Sequence, residues 1–235
     1  MLKNNKYHNL FHFWLVSLAI LVGLIVIVGG LTRLTNSGLS ITEWELFTGI
    51  LPPLTLESWT AYFDAYKKIP QYLFINIGMN LEEFKFIFLW EYAHRLLARF
   101  IGIFFLVPFL FFLIIGFFDK KLTWKLLNIF VLIVIQGAIG WYMVKSGLIE
   151  NSTVSHYRLS VHLLIAFLIF SSLIWIILNS FNKTNKKFFN HNQSYVSLKF
   201  LLFFLFIQIV IGAFVSGLDA GKIYQTWPLM NNNFI

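Results

Sequence analysis

The sequence predicts an all-α integral membrane protein, and three observations carry that prediction. Of its 235 residues, 58% are hydrophobic and only 12% are charged, about half the roughly 25% of a soluble chain. Mean hydropathy is +0.75. Five apolar segments, near 11–31, 84–118, 122–144, 154–181 and 196–217, are each long enough to cross about 30 Å of hydrocarbon. Finally, the net charge of +8 concentrates in short connections between these segments. That is what the positive-inside rule requires of a membrane protein, and it needs no nucleic-acid partner.

The first segment follows Lys3 and Lys6 and resembles a signal anchor. It is too long for the apolar region of a signal peptide and has no clear cleavage site, so it counts as a span. An outer loop, 32–83, turns at Pro52-Pro53. Beyond the turn, Trp59, Tyr62, Phe63 and Tyr66 recur at helical spacing, which predicts an amphipathic helix on the membrane surface. The second span exceeds the bilayer and must project or tilt. Pro108 within it lacks an N–H and is its candidate kink.

Basic residues fix the expected orientation. Lys3 and Lys6, then Lys120, Lys121 and Lys125, then Lys183, Lys186, Lys187 and Lys199 share one side. On the other side, Lys67 and Lys68 are mixed with Glu43, Glu45, Glu57, Asp64, Glu82 and Glu83. The N-terminus is therefore expected in the cytoplasm and the residues after Gly217 outside.

A weak internal repeat runs through the odd-numbered spans. Gln136-Gly137-Ala138-Ile139-Gly140 resembles Gln208-Ile209-Val210-Ile211-Gly212. Both run on to Ser-Gly-Leu, at 146–148 and 216–218, and the first span reaches Ser37-Gly38-Leu39. Small residues of this kind let helices approach closely. The expected organisation is a four-helix bundle over 1–190 and the start of a second, duplicated bundle over 191–235. The remainder of that second bundle is expected beyond Ile235.

Chemistry points to one stretch. The chain has no cysteine, so disulfides, thiolate metal sites and cysteine nucleophiles are excluded. Glu91, His94 and Arg95 fall inside an otherwise apolar helix, where ionisable groups are costly and mark function by default. The competing reading is a polar cluster at the membrane interface. Glu91 and His94 lie about 60° apart on one helix face. His94 sits about 15 Å along the second span and His162 about 12 Å along the fourth, both running inward. Two imidazoles at matched depth suit the two faces of one haem iron, a site that bundle interiors can build.

The other histidines read differently. His156 is about 240° around the helix from His162 and belongs at the rim, while His8, His12 and His191 are expected to be solvated. Ala98 and Gly102, below His94, leave room for a macrocycle or simply for a neighbouring helix. Arg95, Arg99 and Arg158 suit haem propionates or lipid phosphates equally. Glu91 has three readings: a proton relay, a stabiliser of developing positive charge, or an ion pair with Arg95 at i+4. For the whole chain, a non-catalytic bis-histidine cytochrome and a proton-relaying transporter subunit compete with an oxidoreductase.

The motifs converge on one family. Gly29 to Thr35, continuing through Ser37 to Trp44, and Gly49-Ile50-Leu51-Pro52-Pro53 resemble the first-span exit of haem A synthase. Glu82 to Lys85, the Glu91-to-Arg95 run, Gln136 to Leu148, and His156 to His162 are similar to that family too. So is Gly217 to Gly221 through Trp227-Pro228-Leu229-Met230. The resemblance implies two four-helix bundles and oxidation of a methyl group of haem O to the formyl group of haem A. It implies that His94 and His162 hold the substrate haem and that Glu91 is catalytic; Arg95 and Arg158 are expected to bind the haem through its propionates. It further implies haem b in the C-terminal bundle and the bacterial inner membrane as location. Haem O synthase and an electron donor are the partners it suggests, with homo-oligomerisation left open. The cysteine pair that some relatives carry in the first outer loop is absent here. A chain holding the first bundle alone is expected to be inactive.

Overall fold

The computed structural model describes residues 5–43, 48–149, 152–182 and 196–223, together with Thr226, Leu229 and Asn233. His191, Lys3, Lys183, Lys186, Lys187, Trp44, Glu45, Trp227, Pro228 and Met230 lie outside the described residues. Helices α1 (His8–Leu34), α4 (Leu81–Ile114), α5 (Lys120–Gly147), α6 (His156–Phe181) and α7 (Val196–Gly217) are long and apolar enough to cross a membrane. The chain is an all-α, multi-pass membrane protein. Between α1 and α4 lie two short helices, α2 (Leu56–Tyr66) and α3 (Pro70–Phe74), and α8 (Ala220–Ile223) follows α7.

Local chemistry sets the helix ends. Asn80 and Glu83 form a reciprocal capping box at the start of α4, while the Asp119 carboxylate accepts from Leu122 N at the start of α5. The second apolar run was expected to continue to residue 118, but α4 stops at Ile114. Gly116 takes a left-handed φ of 65°, and the N–H groups of Gly116 and Phe117 return to the carbonyls of Leu113 and Phe112. The Phe117 ring then packs on Phe112, centroids 4.9 Å apart, which completes a Schellman cap with its hydrophobic contact. Asn36, φ 52°, ends α1 in the same way, through Ser37 N to Thr32 O.

Pro108 does not break α4, which runs through it for 34 residues, about 51 Å. Proline removes the N–H that would bond the carbonyl four residues back, at Phe104. The indole Nε1 of Trp14 donates to that carbonyl instead, at 2.9 Å. A neighbouring helix thus supplies the missing donor where no water is available.

Helix packing closes a ring. The pairs in contact are α1–α4, α4–α5, α5–α6 and α6–α1, so α4 stands diagonal to α6, and α7 packs on α6 outside the ring. At that last crossing a Cβ on Gly217 would come within 2.6 Å of the His156 Cβ, so only glycine permits the approach. Arg33, at the end of α1, secures α7: it donates to Ser216 O at 2.6 Å and pairs with Asp219 at 3.0 Å.

The apolar interior divides in two. One cluster, rich in phenylalanine and including Phe11, Trp14, Phe105, Phe112 and Phe117, fills the end of the ring farthest from the 35–80 loop. His12 belongs to that end and is not simply solvated. It is half-buried, with Nε2 2.8 Å from Ser180 Oγ and its ring stacked on Phe181 at 4.2 Å. The second cluster lies at the loop end, where α4 overshoots the bilayer. There Phe63 and Tyr66 of α2 pack on Phe84, at 5.0 and 5.2 Å, and Trp59 and Tyr62 on Phe88, at 5.0 and 5.5 Å. The aromatic stripe expected to face the membrane surface is therefore the face that joins the loop to α4. The Tyr66 hydroxyl donates to Gln71, and burial raises its pKa to about 12.

Two measurements test this account. Trp14→Phe orphans the Phe104 carbonyl and should cost about 1–3 kcal/mol. In a Pro108→Ala background, where a main-chain N–H at position 108 restores the helical bond, the same change should cost clearly less, read by denaturant unfolding in detergent. For Asp219, burial acts to raise its pKa, but the Arg33 hydrogen bond and charge, then Lys222, outweigh burial and hold it below its ordinary value. A depressed carboxylate stabilises above its unfolded pKa, and that contribution is lost as pH falls below about 4. Hydrogen exchange in the last turn of α7, corrected for intrinsic rate, should therefore rise below that pH, and Asp219→Asn should abolish the acid step.

Candidate functional site

Between the two apolar clusters the ring has a band built from different chemistry. On α4 it contains Glu91, His94 and Arg95, and on α6 Ser160 and His162. The neighbouring helices contribute Gly29 and Thr32 from α1, and Gln136 and Gly140 from α5. The two histidines stand on diagonal helices. Each lies against a glycine of an adjacent helix. A Cβ on Gly29 would be 3.2 Å from His94 Nε2, and one on Gly140 would be 3.0 Å from His162 Cε1. Gly29 is about 8 Å from the loop end of α1 and Gly140 about 10 Å from the loop end of α5, so the imidazoles share a level.

Glu91 is only 3% exposed, and its surroundings explain how α4 tolerates it. Oε2 accepts from Ser40 Oγ at 2.7 Å and from Ile41 N at 2.9 Å. Oε1 accepts from Arg95 Nη2 at 2.6 Å and Nε at 3.1 Å. Arg95 Nη2 also donates to Ile41 O at 3.2 Å. Burial of a carboxylate becomes tolerable when each oxygen has donors of this kind. The clamp also ties the chain leaving α1 to the turn of α4 just before His94.

Further residues fall as follows. Arg158, one turn before His162 on α6, bonds the Ser146 hydroxyl and lies over the Tyr142 ring at 4.5 Å, both on α5. His156 sits at the α6–α7 crossing, its ring 5.4 Å from Phe214. Ala98 is exposed, and a Cβ on Gly102 would meet nothing within 4 Å. The small residues that face the imidazoles are thus Gly29 and Gly140 on neighbouring helices. Sequence reasoning also missed Ser40 and Ile41 as partners of Glu91, fifty residues away along the chain. The only available signal was the polar Ser-Gly-Leu-Ser run itself.

A cleft of about 350 Å³ opens beside this band, lined by Ile41, Thr42, Glu43, Arg95, Trp141, Val144, Lys145 and Leu148. Its volume is that of a small-molecule site. Arg95 and Trp141 each follow by one residue a member of the histidine–glycine pairs, so the cleft adjoins the band. Lys145 lies over the Trp141 ring at 4.9 Å, presenting a cation and an aromatic face together. Among the described residues, two buried polar atoms at the band have no hydrogen-bond partner: His162 Nδ1 and Gln136 Oε1. Among the described residues there is no cluster of three or more His, Asp or Glu that would hold a bare metal ion.

Residues 12–235 match the model of a family described as cytochrome oxidase assembly protein. The chain is 54% identical over 234 residues to a haem A synthase of Pelagibacter ubique, covering 99% of this chain and 68% of that protein. It is 47% identical to one of Parvibaculum lavamentivorans, covering 99% and 67%. With one of Bradyrhizobium diazoefficiens the identity is 50%, covering 95% and 61%. The chain thus spans roughly two thirds of the length of these relatives. No solved structure matches it.

The Glu91 clamp makes an asymmetric prediction. Arg95→Ala leaves a buried carboxylate short of two donors and should destabilise by about 3–5 kcal/mol. Glu91→Gln keeps an acceptor for Ser40 and Ile41 and should cost less. Denaturant unfolding of the two variants in one detergent checks the order, and equal costs would contradict it.

Proposed function

The chain belongs to the cytochrome oxidase assembly protein family, and from that premise we propose a membrane oxidoreductase of haem A biosynthesis that converts a methyl group of haem O to a formyl group. One observation carries this reading: His94 and His162 stand on diagonal helices at one level, each against a glycine that leaves space for its ring. In this reading the two imidazoles hold the substrate iron from opposite faces, and the glycine seats keep them from tilting. The iron supplies the oxidation chemistry when bound.

The protein's own groups do the rest. Glu91, one turn from His94, acts as a fixed negative charge that favours developing positive charge on the substrate. Its four donors hold it in place, which suits an electrostatic role better than proton relay. The cleft with Arg95 and Lys145 receives the anionic propionate edge, with Arg158 close by on α6. Aliphatic side chains below the band, such as Leu97, Ile101, Ile133 and Ile165, exclude water from the reacting methyl group. Haem b in a second bundle, an electron donor and haem O synthase complete the proposed system. The proposed setting is the bacterial inner membrane, with the N-terminus in the cytoplasm, by the distribution of lysines.

The full hydrogen-bond set of Glu91 would also suit a non-catalytic bis-histidine cytochrome, in which that carboxylate is purely structural. Spectra and product analysis separate the two. Purified protein titrated with haem should show the absorption of a six-coordinate, bis-imidazole iron. His94→Ala and His162→Ala should each abolish that spectrum, and Gly140→Val, which drives a side chain into the His162 ring, should weaken it at least tenfold, the loss expected when support around a ligand is disturbed. Unaltered bands in a double His94→Ala/His162→Ala variant would exclude the ligand assignment. Stoichiometric, unmodified haem b in the purified protein, with no haem O or haem A, would favour the cytochrome.

A further inference from the structure

The repeated Gln-x-x-x-Gly pattern acquires a role at His162. Gln136 and Gly140 stand one turn apart on α5 and both meet the same residue of α6. Gly140 lies against the ring, where a Cβ would be 3.0 Å from Cε1. Gln136 Nε2 donates to the main-chain carbonyl of His162 at 3.0 Å. The amide group is thereby anchored beside the imidazole, yet its other atom, Oε1, is buried without a partner, and so is His162 Nδ1. One is an obligate acceptor. The other donates in one tautomer of neutral imidazole. Two complementary buried atoms on residues already in contact are each costly alone and satisfied together.

We propose that Gln136 is the positioning residue of His162, its Oε1 accepting the Nδ1–H. That contact selects the tautomer with an unprotonated Nε2 and turns it toward the bundle axis. Closing it takes rotation about the terminal torsion of Gln136, which is soft, and about the imidazole χ2, while Nε2 stays within reach of the His162 carbonyl. The inference rests on the reading that His162 holds a haem iron. A metal-bound histidine normally gives its second ring N–H to a fixed acceptor, and the acceptor makes the ligand more electron-donating. Gln136 therefore sets both the geometry of the ligand and the stability of the oxidised iron it holds.

The experiment titrates the full chain in detergent with iron protoporphyrin, using wild type, Gln136→Leu, Gln136→Glu and His162→Ala, and measures affinity, absorption spectrum and midpoint potential. Gln136→Leu should weaken binding about 10- to 100-fold and raise the midpoint potential. Gln136→Glu, a stronger acceptor that gives up the donor to the His162 carbonyl, should weaken binding less than Gln136→Leu does and lower the potential below that of wild type. Opposite shifts are what a merely space-filling residue would not produce. Potentials that move in the same direction, or stay at the wild-type value in Gln136→Glu, overturn the proposal while leaving haem binding intact. Should Gln136→Leu fail to fold, the Gln136→Glu shift still decides. Binding by His162→Ala equal to wild type would remove the ligand assignment itself, and this inference with it.

Discussion

Everything at the loop end depends on one buried carboxylate being satisfied. Glu91 is only 3% exposed and has no water to complete its hydrogen bonds, so four protein donors must do it. Two come from Arg95, one turn on along α4, and two from Ser40 and Ile41, just past the end of α1. Because those donors are contributed by separate segments, satisfying the charge also fixes where the chain leaving α1 crosses α4. The left-handed Asn36 that ends α1 and the aromatic packing of α2 on Phe84 and Phe88 then hold the same segment from its other sides. The carboxylate is the keystone of the loop as well as a neighbour of His94.

The same rule of internal satisfaction runs through the rest of the bundle. Trp14 answers the carbonyl that Pro108 leaves open, and Arg33 bonds the final carbonyls of α7, where a positive group also complements the helix dipole. Each device joins two helices through a backbone group that would otherwise be orphaned. Helix association in a membrane has little hydrophobic drive of its own, so such bonds and close glycine crossings, as at Gly217 and His156, do much of the specifying.

How far this was legible in sequence differs by kind of interaction. The five spans were readable because apolar length is a property of local composition, and the ion pair between Glu91 and Arg95 because a spacing of four is local as well. What could not be read were contacts that depend on which helices become neighbours. Ala98 and Gly102 suggested space beside His94 on its own helix, whereas the glycines facing the imidazoles are on α1 and α5. Likewise, the stripe Trp59, Tyr62, Phe63 and Tyr66 carries the same periodicity whether its partner is lipid or α4. Amphipathicity reports that a face is buried and says nothing about what buries it.

The division of the interior into two apolar clusters bears on why the band between them exists. Close-packed cores admit few voids, and a protein selected only for stability would gain by filling the band with branched aliphatic side chains. Instead the ring places glycines at Gly29 and Gly140, polar groups at Thr32 and Gln136, and two imidazoles, while aliphatic side chains such as Leu97, Ile101, Ile133 and Ile165 fill the adjoining layer. Every one of these choices sacrifices packing in the middle of the bundle. Without the Gln136 amide as its partner, the buried His162 Nδ1 would cost about 1–3 kcal/mol more. These costs fall together at one level of the ring, on all four helices. Scattered imperfections would not align in this way, and the alignment is what the proposed haem seat would need.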